Sequence, residues 1–142
     1  PMTLSFADPS AAEAAFYAAF GDLDLGQMRA VWIESVDASC IHPGGGLLQG
    51  TDAVLASWAE IFRDSAPPRI AHRLIQASTD ERLAVHTVEE DVQSGGGQRQ
   101  AVVLATNVYR YVEGKGWRIL AHHASLPLVE SSPAQTRRES MH

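Results

Sequence analysis

The chain has 142 residues, 45% of them hydrophobic and 20% charged, and a formal net charge of -6. That is enough for one domain with a real core, since a chain of this size hides roughly 68–70% of its unfolded surface. The acidic balance excludes a nucleic-acid face, the scattered arginines and single lysine (Lys115) exclude a polybasic membrane patch, and no apolar run reaches the roughly 18 residues of a membrane span.

The first predicted helix has Asp8 as its cap, Pro9 at the first helical position and Glu13 in the first turn, where the helix dipole favours a carboxylate. Ala12, Phe16, Ala19 and Phe20 recur at helical spacing, and Gly21 ends the run. Asp22 then caps a second, short helix with an apolar stripe of Leu25, Met28, Val31 and Trp32. Residues 36–41 read as a strand. It closes on CIHPGGGLLQG (40–50), which puts His42 at a strand end before a proline and three glycines. That arrangement is either a turn with a surface histidine or the lip of a pocket.

Thr51 is the expected cap of a third helix reaching Arg63, with Val54, Leu55, Trp58, Ile61 and Phe62 on one side. Ala66, Pro67 and Pro68 stop it. The pattern then changes to period two, giving strands over 70–77, 83–92, 101–112 and 117–126. Their turns are Thr79–Asp80, SGGG (94–97) and EGKG (113–116). The domain expectation is an extension over 1–8, one domain over 9–128, and a polar, disordered tail over 129–142. Helices first and an antiparallel meander after them make the fold α+β. The lone cysteine, Cys40, cannot form an internal disulfide. With no basic segment or apolar core of a signal peptide at the N-terminus, the sequence reads as cytoplasmic.

The order of five words carries a resemblance: FGDLDLGQMRAVW (20–32), IHPGGGLLQG (41–50), AVLASWAEIF (53–62), TNVYRY (106–111) and GWRILAHHAS (116–125). Together they resemble the nuclear-transport-factor-2-like superfamily, in its SnoaL-like and ketosteroid-isomerase-like branch. The resemblance implies a cone-shaped half-barrel, a curved mixed or antiparallel sheet wrapped around three N-terminal helices, with a pocket inside. It also implies a homodimer through the outer sheet face, which suits the alternation of Trp117 and Ile119 with Leu120.

By the same resemblance, His42 lies where the isomerase branch has its proton-shuttling aspartate. An imidazole suits proton transfer near neutral pH. Asn107 occupies the position of that branch's protonated aspartate, a donor to developing negative charge. The branch's tyrosine donor aligns with Ala14, so the steroid-isomerase set is incomplete. Tyr17, almost a full turn away, either reaches inward or packs half-exposed.

His122 and His123 are adjacent in a strand, so only one faces inward. The alternation of Ile119 and Ala121 selects His123, and counting from Asn107 by family alignment selects His122. The likeness of HHAS to the final strand of calcium/calmodulin-dependent kinase II association domains favours His123. His86 and Glu90 share a face with Val88, and a buried glutamate near a histidine makes a perturbed pair. The expected set is therefore His42, Asn107 and His123 as catalytic residues, with Tyr17, Trp58, His86, Glu90 and His122 as ligand-binding residues. No histidine spacing suits a metal, and neither metal nor cofactor is expected. Cys40 reads as a small apolar strand residue.

Two functions follow from this set. One is a cofactor-independent isomerase, lyase or cyclase moving a proton on a small hydrophobic, oxygenated molecule. The other is a non-catalytic ligand-binding or association domain.

Overall fold

The computed structural model describes residues 4–94 and 100–128. Chain order is α1 (Pro9–Asp22), α2 (Leu25–Val31), β1 (Ser39–Ile41), β2 (Leu48–Gln49), α3 (Thr51–Arg63), β3 (Arg69–Thr79), β4 (Leu83–Gln93), β5 (Gln100–Val112) and β6 (Gly116–Ala124). The strands form one open six-stranded sheet in the order β2-β1-β6-β5-β4-β3. All neighbours are antiparallel except β1 and β6, which run parallel, so the sheet is mixed. The α+β expectation of three helices against a curved sheet stands.

Local chemistry explains the helix starts. The Asp8 carboxylate accepts from the Ala11 N–H at 2.7 Å, and Pro9 opens α1. Leu23 ends it in the left-handed region, its N–H returning to Ala19 and Phe20 carbonyls. The cap of α2 is Asp24, accepting from the Gln27 N–H at 3.0 Å, rather than Asp22, because α1 runs a residue further than Gly21 suggests. Thr51 does not cap α3 either; Gly50 holds that position at φ 90°. The Thr51 hydroxyl instead donates to the Ile33 carbonyl (2.7 Å) and accepts from the Ser35 N–H (2.8 Å), tying α3 to the α2–β1 connection. That connection consumes the predicted start of β1: Val36 is 78% exposed and outside the ladder.

The core between helices and sheet is aromatic. Phe16, Trp32, Trp58 and Tyr109 are fully or almost fully buried, and Phe16 touches Trp32 and Trp58 edge-on. Among the described residues, no helix is long and apolar enough to cross a membrane.

One irregularity decides what faces inward. In the β5–β6 ladder Tyr109 pairs with Ile119, but Val108 pairs with Ala121, so Leu120 is a bulge. A bulge inserts one residue and shifts the alternation that follows it. Ile119 and His122 therefore both point into the core, with Ile119 0% and His122 1% exposed. His123 faces out.

At the N-terminus Phe6 bridges to Gly116, and the Trp117 N–H donates to the Phe6 carbonyl at 2.9 Å. Gly116 has φ 78°, and a Cβ there would collide with the Phe6 backbone. Gly116→Ala is therefore expected to cost roughly 2 kcal/mol or more, from left-handed strain plus the lost bridge. Chemical denaturation reads this directly; a cost under about 0.5 kcal/mol would mean the bridge does not form. The predicted glycine turn over 95–97 and the predicted tail over 129–142 lie outside the described residues.

Candidate functional site

A chain of buried hydrogen bonds runs from α1 across the sheet. Tyr17, on the inner face of α1, donates its hydroxyl hydrogen to Glu90 of β4 at 2.6 Å. The Asn107 amide on β5 donates to the Tyr17 oxygen at 2.9 Å. With its nitrogen so used, the Asn107 amide oxygen, 2.6 Å from His122 Nδ1, is the acceptor, so Nδ1 carries the hydrogen. The other ring nitrogen of His122, Nε2, is then a bare lone pair, 3.9 Å from the Glu90 carboxyl. All four side chains are at most 4% exposed.

Burial sets the protonation states. It holds the Glu90 carboxyl up at about 7, outweighing the hydrogen bond from Tyr17, and Glu13 nearby raises it further. Burial pushes His122 the other way, down to about 3, with His42 and His123 adding to the effect. At neutral pH His122 is uncharged, so its approach to Glu90 is not an ion pair. Burial and the neighbouring Glu90 charge keep the Tyr17 phenol protonated, well above its ordinary range.

Glu90 and His122 border a cavity of about 210 Å³. Its other walls are His42, Trp58 and a largely apolar ring that includes Phe20, Ile61, Val92, Val103 and Pro127. Trp58 is 0% exposed, and its indole N–H is the one buried side-chain polar atom among the described residues with no acceptor. A buried donor left unpaired costs roughly 1–3 kcal/mol.

His42 does reach the cavity, but as a fixed wall. The Ser57 hydroxyl donates to the Val54 carbonyl at 2.6 Å, so it accepts from His42 Nε2–H at 2.9 Å. The ring lies edge-on to Trp58, and burial lowers its pKa. Cys40 beside it is buried in the core, its thiol pushed up to about 12 by burial, which fits the apolar reading.

His123 is a correction. It is exposed and pairs with the Ser39 hydroxyl at 3.1 Å, away from the cavity, because the Leu120 bulge breaks the alternation that had selected it. Asn107, expected as a catalytic donor, is buried in the chain of bonds, where its amide is consumed by Tyr17 and His122 and does not border the cavity. Tyr17 is buried rather than half-exposed. His86 and Glu90 both face inward, but His86 pairs with Glu13 at 2.9 Å rather than with Glu90.

That pairing was missed. Glu13 is in the second turn of α1 and buried, where it also accepts from the Tyr109 hydroxyl at 2.6 Å. The available signals were Glu13 one turn before Tyr17, and Tyr109 two residues after Asn107 on the same strand face. His72 is exposed, but its ring stacks on Tyr17 with centroids 4.3 Å apart.

A SnoaL-like domain family model matches residues 10–129. A solved calcium/calmodulin-dependent protein kinase type II association domain from Thiobacillus denitrificans is 38% identical, with TM-score 0.81, covering 88% of this chain and 98% of that one. A dehydratase-type protein of the NTF2-like family from Streptomyces avermitilis is 32% identical, with TM-score 0.74, covering 85% and 94%. The F-box protein SKIP8 of Arabidopsis thaliana is 26% identical over 115 residues, 81% of this chain. The chain spans about half of that relative's length, 48%.

Proposed function

The chain belongs to the SnoaL-like domain family, and from that premise we propose that its cavity binds a small apolar molecule carrying a carbonyl or hydroxyl oxygen and moves a proton on it without a cofactor. The carrying observation is the wall itself: Trp58, whose buried indole N–H lacks an acceptor, Glu90, whose carboxyl is held up at about 7, and a neutral His122 all border one largely apolar space of about 210 Å³.

Each group has a separate task. The Trp58 N–H donates to the substrate oxygen as negative charge develops on it. Glu90, balanced between its two forms near pH 7, removes a proton from the carbon beside the carbonyl and returns it elsewhere, which isomerises the molecule. Delivered to a departing β-hydroxyl, the same proton completes a dehydration. Neutral His122 accepts a hydrogen bond from a substrate hydroxyl through Nε2, and Asn107 and Tyr17 hold the pair in place. A homodimer remains part of the proposal: Leu83 and Val85, on one face of β4, are each 38% exposed, apolar surface that a second copy would cover.

A second reading, a pocket that binds without reacting, draws on the kinase association domain at 38% identity. It also draws on Tyr17 and Asn107 being occupied internally. Thermal-shift screening with ring ketones, phenols and their hydrocarbon analogues tests the shared premise. The oxygenated ligands are expected to raise the melting temperature, and Trp58→Phe is expected to weaken them about tenfold while leaving the hydrocarbons unchanged. Equal binding of both series to Trp58→Phe would refute the assigned donor. Turnover of a bound ligand that falls about a hundredfold in Glu90→Gln identifies the catalytic reading; binding without turnover identifies the other.

A further inference from the structure

At the opposite end of β5 and β6 from the cavity, roughly 20 Å along the ladder, lies a second concavity of about 490 Å³. It runs between the α2–β1 connection and the β5–β6 hairpin. Its charged walls are Arg29, Arg110, Lys115 and Arg118 against Glu34 and Glu113, a local excess of two positive charges in a chain of net charge -6.

The arrangement is costly as it stands. Arg110 and Arg118 are direct partners in the β5–β6 ladder, where like charges facing each other destabilise a sheet. Among the described residues no carboxylate lies within ion-pair distance of any of these four cations. Arg118 is 5% exposed, yet its guanidinium donates only to neutral acceptors, the Leu4 and Trp117 carbonyls, and lies 5.0 Å over the Phe6 ring. Burial lowers its pKa. Of the five N–H groups a guanidinium carries, those two bonds leave most free.

We propose that this groove binds a small molecule through a phosphate or pyrophosphate group. Arginines on adjacent strands suit such a group, because a guanidinium fork engages phosphate oxygens in a bidentate manner that lysine does not. A dianion also cancels the local excess. The site is separate from the cavity and independent of its chemistry.

The test titrates pyrophosphate into the full chain at low ionic strength, by calorimetry and by thermal melting. Sodium chloride at matched ionic strength is the control. Wild type is expected to bind saturably and to melt about 2 °C or more higher when saturated. Arg110→Gln is expected to bind at least tenfold more weakly and, without the anion, to melt no lower than wild type, because the cross-strand repulsion is gone. Lys115→Gln, on an exposed turn, carries the comparison if Arg110→Gln does not fold, with an expected weakening of about threefold. Stabilisation by chloride equal to that by pyrophosphate, or wild-type binding in both variants, overturns the proposal.

Discussion

Glu90→Gln is expected to make the protein more stable at pH 8 by about 3 kcal/mol, while leaving stability at pH 4 nearly unchanged. The folded state holds the Glu90 proton up to about 7, whereas an ordinary glutamate releases it near 4.5. Between those values the unfolded chain has lost a proton that the folded chain retains. Stability therefore falls as pH rises through that window and stays low above it. At about 1.4 kcal/mol per pKa unit, the full loss comes to about 3 kcal/mol, and an amide that cannot ionise escapes it. Tyr17 keeps an acceptor in the glutamine, so the hydrogen bond survives the substitution.

His122 works in the opposite sense. Its folded pKa near 3 lies below the ordinary 6.5, so its contribution is whole above 6.5 and is lost as pH falls toward 3. In wild type the two effects offset each other between about 4.5 and 6.5. In Glu90→Gln only the His122 slope remains. Denaturation at a series of pH values separates them, and a variant whose alkaline slope matches wild type would contradict the raised Glu90.

Phe16→Ala is expected to cost about 3–5 kcal/mol, lowering the melting temperature by roughly 10 °C. Phe16 is 0% exposed and touches Tyr17, Trp32, Trp58 and His122, with ring centroids between 4.9 and 6.4 Å. Its loss opens the packing that keeps His122 dry, so the histidine should also titrate closer to its ordinary value. Leu126→Ala is the control: that side chain is 67% exposed and its loss should change stability by no more than about 0.5 kcal/mol. A Phe16→Ala cost below about 1.5 kcal/mol would show that the aromatic cluster is not the centre of the core.

Most elements were legible because their signals are local. The Asp8–Pro9 cap, the proline stop after α3 and the period-two strands need only neighbouring residues. What failed depended on distant chain. Thr51 reads as a cap until Ile33 and Ser35 arrive to take its hydroxyl. Glu13 reads as a dipole partner until β4 and β5 bring His86 and Tyr109 against it. The inward histidine turned on the bulge at Leu120, which apolar alternation alone does not reveal, and counting from Asn107 by family alignment reached His122 where strand periodicity reached His123. Proton-handling residues were recognised by type, but their roles moved. His42 and Asn107 are held by fixed partners, and Glu90 emerges as the titrating group because burial, not sequence position, sets its pKa.

The central claim is that one cavity-wall carboxyl titrates near neutrality beside an uncharged imidazole. Carbon-13 NMR titration of the glutamate carboxyls, with Glu90→Gln to assign the resonance, measures it directly. The account predicts a Glu90 midpoint near 7. A midpoint at the ordinary 4.5 would leave the cavity with a plain carboxylate and contradict the proton-transfer reading.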